Sequence, residues 1–170
     1  WTRPHYPNYT SPEFEGASRI GVYGDSLMEL DHNTGRVLDA IEKHGLKDET
    51  IVVFMSDNGP MRTNTWPDSG SAGPFRGELG DPLEGSIRTI GMIRWPGKIN
   101  HGTSNEMFST MDFMPTFARI VGAKMPKDRP IDGVDQLDFL LGKQPKSNRE
   151  HLITFTGDQL QALRWRQFRY

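Results

Sequence analysis

The chain of 170 residues carries 20 basic and 22 acidic side chains, for a net charge of -2 at pH 7. This balance gives no electrostatic case for nucleic acid or an anionic membrane as a partner. The absence of cysteine excludes disulfides and Cys-ligated zinc, and no apolar run approaches the roughly 20 residues of a membrane span. The length suits one domain with a hydrophobic core.

The N-terminal segment, residues 1–17, predicts an irregular loop, because prolines at positions 4, 7 and 12 interrupt a helix. His5 lies in this loop with proline nearby on both sides, so its backbone is stiff. A loop histidine is commonly a surface polar residue, but one held in this way can act as a hydrogen-bond donor or a base. The sequence begins without Met, and we expect it to be a piece of a longer chain.

A helix is predicted from Asp25 to about His44, because one stripe of residues recurs at spacings of three and four. The stripe consists of Leu27, Leu30, Thr34, Val37, Leu38 and Ile41. Asp25 is predicted to be the N-cap, and Gly45 to end the helix. Asp31 and His32 flank the stripe, where they either face solvent or point toward a site.

Ile51–Met55 predicts a strand covered on both faces, and Gly59-Pro60 ends it abruptly. Asp57 and Asn58 therefore follow the carboxyl end of a strand, where open α/β sheets place their ligands. Their oxygens suit a hard cation such as Ca²⁺ or Mg²⁺. The alternative is an Asx turn, in which both side chains bind nearby backbone.

The segment from Met61 to Leu83 has no hydrophobic period, and a loop of that length is usually functional or disordered. Its aromatic residues Trp66 and Phe75 argue against disorder. A second strand is predicted at residues 89–95. Three arginines in this region either bind an anion or form structural salt bridges: Arg76, Arg88 and Arg94.

The C-terminal third predicts two short helices and a hairpin. One helix lies within residues 109–122 with Pro115 in its first turn, and the other spans about 133–141 and ends at Gly142. Residues 152–155 and 160–165 predict the two hairpin strands. The second of these is expected to end where the sequence does, at Tyr170.

A series of motifs resembles the later part of the catalytic domain of type I sulfatases, in order and over nearly the whole chain. The matching stretches are Thr2-Arg3-Pro4-His5, Asp31 with Gly35, Ser56-Asp57-Asn58-Gly59, Gly73-Pro74-Phe75-Arg76-Gly77-Glu78, Glu84-Gly85-Ser86-Ile87-Arg88 and Arg94-Trp95-Pro96-Gly97-Lys98-Ile99. The resemblance implies an alkaline-phosphatase-like α/β fold, a three-layer sandwich of which this chain is a part. Residues 1–145 would belong to the catalytic domain, and residues 146–170 would begin a small C-terminal antiparallel sheet.

The resemblance also implies an arylsulfatase-like enzyme that hydrolyses aryl or carbohydrate sulfate esters with Ca²⁺, or sometimes Mg²⁺, and a formylglycine made from Cys or Ser. Asp57 and Asn58 would be two of the metal ligands. His5 would bind the sulfate or assist the leaving group, and Arg76 would contact the substrate. A periplasmic, lysosomal or secreted location is the corresponding expectation.

Two departures from the family pattern limit that expectation. The chain has neither Cys-X-Pro-X-Arg nor Ser-X-Pro-X-Arg, so the nucleophile and the N-terminal half of the fold would come from sequence not shown. Leu79 replaces a lysine that usually binds sulfate, and leucine cannot donate to an oxyanion. We therefore expect these 170 residues alone to be inactive. The alternatives are a non-catalytic half-domain or binding module, and a related phosphodiesterase or phosphonate hydrolase.

Overall fold

The structure, a computed structural model, describes residues 4–61 and 69–170. The motif residues Thr2 and Arg3, and Trp66 of the long segment, lie outside the described residues. The chain divides into two compact units, Trp1–Arg94 and Trp95–Tyr170. None of the helices within the described ranges is long and apolar enough to cross a membrane.

Within residues 4–61 and 69–94, the first unit holds two helices and one small sheet. The elements are α1 at Val22–Lys43, β1 at Val52–Met55, α2 at Glu84–Ile87 and β2 at Gly91–Arg94. Strands β1 and β2 pair antiparallel, with Val52 opposite Arg94 and Met55 opposite Gly91. The two predicted strands are therefore adjacent, although β2 begins two residues later than the sequence pattern indicated.

Helix α1 begins at Val22 with Gly21 as its N-cap, so the prediction of Asp25 as the N-cap is wrong. The Asp25 carboxylate instead accepts backbone N–H groups of the preceding loop. The predicted end is confirmed, because Gly45 takes a φ of 71° and its N–H donates to the carbonyl of Glu42 at 2.9 Å. Leu46 N–H reaches back to Ile41 O at 3.0 Å, which completes a Schellman motif.

The predicted burial of the first strand on both faces is not found. Residues Val52 to Phe54 are half-buried, and Met55 is 37% exposed, because the sheet described here has only two strands. The α1 stripe is also less covered than expected, with Leu27 and Val37 exposed. The buried positions of α1 are Gly24, Asp25, Ser26 and Glu29.

The second unit contains a 3₁₀ turn, two short α-helices and a three-stranded sheet. Its elements are a 3₁₀ turn at Thr110–Asp112, α3 at Phe113–Ile120, α4 at Leu137–Leu140, β3 at His151–Thr156, β4 at Gln159–Trp165 and β5 at Phe168–Arg169. Pro115 lies in the first turn of α3, as predicted. Helix α4 starts four residues later than the predicted start at 133.

The predicted hairpin is confirmed as β3 and β4, which pair antiparallel from His151 opposite Trp165 to Thr156 opposite Gln159. The prediction that its second strand continues to the end of the sequence is wrong. The chain turns again at Arg166, with a φ of 52°, and β5 pairs back onto β4. The expected boundary between residues 145 and 146 stays a prediction.

A polar cluster takes the place of an apolar core in this unit. Asp112, Thr116 and Gln136 are completely buried, and Arg149 is 6% exposed. Among the described residues, the buried apolar side chains are Pro115 and Ala162. The expected hydrophobic core is therefore absent from the described parts of the chain, where most apolar side chains are partly exposed.

Candidate functional site

The exit of strand β1 carries the carboxylate–amide pair. Asp57 is exposed, and its Oδ1 accepts the N–H of Asn58 at 3.0 Å. Asn58 is half-buried, and its Nδ2 donates to Gly59 O at 2.8 Å. The hydrogen bond from the Asn58 side-chain NH₂ to the backbone fixes the orientation of the side chain. Its other polar atom, the side-chain oxygen Oδ1, is then the atom that suits a cation. Both side chains bind nearby backbone, as the alternative predicted, but each contact is with the next residue and not with the residue two positions on that defines an Asx turn.

Three backbone hydrogen bonds join this strand exit, helix α2 and the loop that bears Arg76. Gly59 N–H donates to Ser86 O at 2.5 Å in α2, and Leu79 N–H donates to Pro60 O at 2.9 Å. Gly85 N–H in turn donates to Arg76 O at 2.7 Å. The strand exit, the start of α2 and the loop that bears Arg76 thus meet in one junction, which we call the glycine junction.

The glycine junction depends on the absence of side chains at two positions. A Cβ on Gly59 would overlap the carbonyl of Gly85, and a Cβ on Gly85 would overlap the carbonyl of Gly77. Backbone atoms cannot move aside as the end of a flexible side chain can. Gly59 therefore permits the close approach of α2 to the strand exit, and Gly85 permits the close approach of the Arg76 loop to α2.

Two of the three candidate anion-binding arginines lie in or beside this junction. Arg76 is exposed, which suits a ligand contact. The guanidinium of Arg88 lies 4.5 Å from the ring centroid of Phe75 and 3.8 Å from a carboxylate oxygen of Glu84, so Arg88 has structural partners. Leu79 is 43% exposed and contributes its backbone N–H to the junction.

His5 is exposed on the N-terminal loop, and its Nδ1 lies 2.8 Å from Tyr6 O. A carbonyl oxygen only accepts, so Nδ1 carries the proton in this contact. Nε2 is then the basic atom of the neutral ring. The glycine junction joins the backbone segments that carry Asp57, Asn58 and Arg76, whereas the contact of His5 is with its own neighbour.

Sequence reasoning missed the two buried acids of α1. Asp25 is 5% exposed and Glu29 is 9% exposed, and both accept hydrogen bonds from the loop of residues 10–18. Hydrogen bonds from Ser18 and from the Gly16 backbone lower the pKa of Asp25. The signal available in the sequence was a pair of acids spaced i, i+4 inside an otherwise amphipathic helix.

The described residues contain no group of three or more His, Asp or Glu side chains placed to hold a metal ion. Asp57 and Asn58 can supply two hard oxygen donors, and Ca²⁺ takes six to eight. The pair therefore fits such a cation in donor chemistry, as part of a larger ligand set.

The strand exit thus offers a carboxylate and an amide oxygen, the donor types that hard cations prefer, and backbone hydrogen bonds join it to an arginine-bearing loop. The chain belongs to the sulfatase family, since the Sulfatase family profile matches residues 2–123. The family resemblance drawn from the motifs is thereby confirmed.

Named relatives agree with this assignment. The chain is 41% identical over 166 residues to the steryl-sulfatase of Mus musculus, with 95% of the chain and 27% of that protein covered. It is 40% identical over 153 residues to arylsulfatase A of Bos taurus, covering 90% of the chain and 30% of that protein. The chain thus spans less than a third of the length of these curated relatives.

The crystal structure of the PsFucS1 sulfatase from Pseudoalteromonas sp. superimposes with a TM-score of 0.90 at 34% identity, covering 97% of this chain and 33% of that one. This likeness confirms the alkaline-phosphatase-like α/β fold class. The small antiparallel sheet of β3, β4 and β5 at the C-terminus was also predicted.

Proposed function

We propose that this chain is part of a sulfuric ester hydrolase of the arylsulfatase type and supplies one side of its sulfate-ester site. The observation that carries the proposal is the glycine junction, which places the Asp57–Asn58 pair and the Arg76 loop next to each other in a member of the sulfatase family. The substrate is an aryl or carbohydrate sulfate. Nucleic acid and an anionic membrane are not proposed as partners, given the net charge of -2.

Asp57 and Asn58 are proposed to bind a Ca²⁺ ion, with Mg²⁺ as the variant. Both offer oxygen atoms, which hard cations prefer, and their orientation is set by the hydrogen bonds from Asn58 N–H and Asn58 Nδ2. Such a cation, when bound, neutralises charge on the sulfate oxygens. The other ligands, and the formylglycine nucleophile, are proposed to come from further parts of the natural protein, the N-terminal half of the same fold.

His5 is proposed to handle the proton at the ester oxygen or to bind the sulfate. Its Nδ1 is engaged with Tyr6 O, which holds the ring in one tautomer and leaves Nε2 as the working atom. A positioned imidazole of this kind contributes about 10²- to 10⁴-fold to a rate. Residues in the stiff loop around it favour a fixed ring position.

Arg76 is proposed to contact the sulfate directly. It is exposed in the glycine junction, and a guanidinium can donate two parallel hydrogen bonds to a tetrahedral oxyanion. Leu79 cannot take over this role. The proposal therefore assigns to Arg76 the positive charge that this loop offers to the substrate.

The decisive experiment assays the natural protein that contains this sequence on an aryl sulfate and on the matching aryl phosphate, with and without Ca²⁺. We expect sulfate hydrolysis that chelation abolishes, and loss of about 10²- to 10³-fold in kcat for Asp57→Asn. Asp48→Asn, an exposed acid shortly before β1, is the matched control and should keep full activity. The isolated chain of 170 residues should not hydrolyse the aryl sulfate.

Three outcomes would contradict this proposal. Faster hydrolysis of the phosphate ester would favour the phosphodiesterase or phosphonate hydrolase alternative. A protein that binds a sulfate ester without turnover would favour the non-catalytic binding module. An Asp57→Asn variant with unchanged turnover and unchanged Ca²⁺ response would remove the metal role. An exported location is proposed on the same family basis and is testable by fractionation.

A further inference from the structure

One face of helix α1 contacts the loop that precedes the helix. Positions 25, 29 and 32 lie four and three residues apart, so they share a face of the helix. Asp25 contacts the loop at residues 16 and 18, Glu29 contacts it at residues 10 and 11, and the His32 ring lies 5.4 Å from that of Phe14. The loop is thus bound along about two turns of the helix.

The two acids bind the loop backbone in different ways. Asp25 uses both carboxylate oxygens, since Oδ2 accepts Gly16 N–H at 2.9 Å and Oδ1 accepts Ser18 N–H at 2.8 Å. Glu29 binds two loop groups at one oxygen, Oε2, which accepts the Thr10 hydroxyl at 2.8 Å and Ser11 N–H at 2.9 Å. Charge-assisted hydrogen bonds of this kind are stronger than neutral ones.

We propose that Asp25 and Glu29 are positioning residues: they bind residues 10–18 to α1 and thereby fix the loop that carries His5. Their near-complete burial is consistent with this role, because a buried carboxylate is costly unless it is hydrogen-bonded. The expected effect of the fixed loop on turnover rests on the role of His5 under the proposed function. The attachment of residues 10–18 to α1 by Asp25 and Glu29 does not depend on that function.

The difference between the two acids gives a discriminating pair of substitutions. Asp25→Asn places an amide NH₂ against a backbone N–H, so at least one of its two bonds is lost and two donors face each other. Glu29→Gln keeps an oxygen that can accept both the Thr10 hydroxyl and the Ser11 N–H. Glu29→Ala removes both bonds. The matched controls are Asp39→Asn on an exposed turn of α1 and Glu15→Gln on the loop surface.

The test is made in the natural protein with three readouts: tryptic cleavage after Arg19, the NMR signals of the His5 imidazole, and kcat with KM. For Asp25→Asn and Glu29→Ala we expect about tenfold faster cleavage, shifted or broadened His5 signals, and a kcat lower by about 10- to 100-fold with KM within about threefold. Glu29→Gln should lie nearer to the wild type than Glu29→Ala in all three.

Unchanged cleavage and unchanged His5 signals in both Asp25→Asn and Glu29→Ala would overturn the proposal. A loosened loop with unaltered kcat in an active enzyme would also overturn it. If Asp25→Asn does not fold, the comparison of Glu29→Ala with Glu29→Gln decides. If the protein hydrolyses no sulfate ester at all, the proposed function fails, while cleavage and the His5 signals still decide whether the two acids position the loop.

Discussion

Two carboxylates, one in each compact unit, have opposite surroundings. In the second unit Asp112 is completely buried and accepts hydrogen bonds from Arg149, from Val134 N–H and from Ser109 N–H. In the first unit Asp57 is exposed, and it accepts a bond from the N–H of the next residue. A buried carboxylate with several internal donors holds a fold together, whereas an exposed one at a strand exit can meet a ligand.

The Asp112–Arg149 pair shows how the second unit stays together without a large apolar core. Arg149 reaches both oxygens of Asp112, with Nη2 to Oδ1 at 2.5 Å and Nε to Oδ2 at 2.9 Å. Its Nη2 also donates to Asp132 O, and its Nη1 to His151 O at the start of β3. The pair therefore links α3, the loop before α4 and the C-terminal sheet.

The largest effect is expected from removing one partner of this pair. Asp112→Ala leaves the Arg149 guanidinium buried without a counter-charge, which should lower the free energy of unfolding by about 3–5 kcal/mol. Urea denaturation measures this loss. Asp128→Ala, at a side chain that is 74% exposed, is the control and should change stability by about 0.5 kcal/mol or less.

An equal loss in Asp112→Ala and its control would contradict the structural role of the pair. The double variant Asp112→Leu with Arg149→Met sharpens the test. It removes the unpaired charge and should recover part of the stability, but not all of it, because the N–H groups of Ser109 and Val134 lose their acceptor.

The next effect concerns the glycine junction of the first unit. Gly85→Ala places a Cβ against the carbonyls of Gly77 and Arg76, so we expect a loss of about 1–3 kcal/mol in the free energy of unfolding. Gly35→Ala is the matched control, because its Cβ meets nothing within 4 Å. In the interior of α1 that substitution should instead stabilise by about 0.5–1 kcal/mol. The same sign for both variants would rule out close backbone contact at the junction.

The smallest effect is a pH dependence that belongs to the second unit. Burial raises the pKa of Asp112, but the hydrogen bonds from Arg149, Val134 and Ser109 outweigh it, and the pKa lies below its usual value of 3.8. The ionised form is thus favoured by folding, and its contribution is complete above pH 3.8 and lost as the pH falls through the lower folded value.

Denaturation between pH 2 and 7 measures this dependence, with a slope of up to about 1.4 kcal/mol per pH unit for each proton taken up. Asp112→Asn should flatten the acid limb. Asp138→Asn should keep more of the loss of stability at low pH, because the ion pair of Asp138 with Arg119 is partly exposed. An acid limb that is identical in the wild type and in Asp112→Asn would contradict the assignment.

Local sequence chemistry was sufficient for several features of this protein. Gly45 ends α1 because only a residue without a side chain takes a positive φ freely. Two apolar runs separated by turn residues predicted the β3–β4 hairpin, and the strand exit at Asp57 and Asn58 followed from an apolar run that stops at Gly-Pro. The ordered motifs also indicated the sulfatase family, which the family profile confirms.

Other features depend on partners distant in sequence. Aspartate is a common N-cap residue, yet the Asp25 carboxylate accepts hydrogen bonds from Gly16 and Ser18 in the preceding loop. Periodicity alone therefore placed the start of α1 too late. The pairing of Asp112 with Arg149 spans 37 residues, and no local pattern specifies it. The turn at Arg166 that returns β5 to β4 has a left-handed residue that is not glycine, so the usual turn signal was missing.

The sequence by itself therefore determined the family, the types of most elements and the residues that offer chemistry, because each depends on residue type and short spacing. Only the tertiary structure decided which of these residues are available. It buried Asp25, Glu29 and Asp112 among backbone donors and left Asp57 and Arg76 exposed beside the glycine junction. The physical reason is that burial and hydrogen-bond saturation depend on which distant backbone groups fold back onto a side chain.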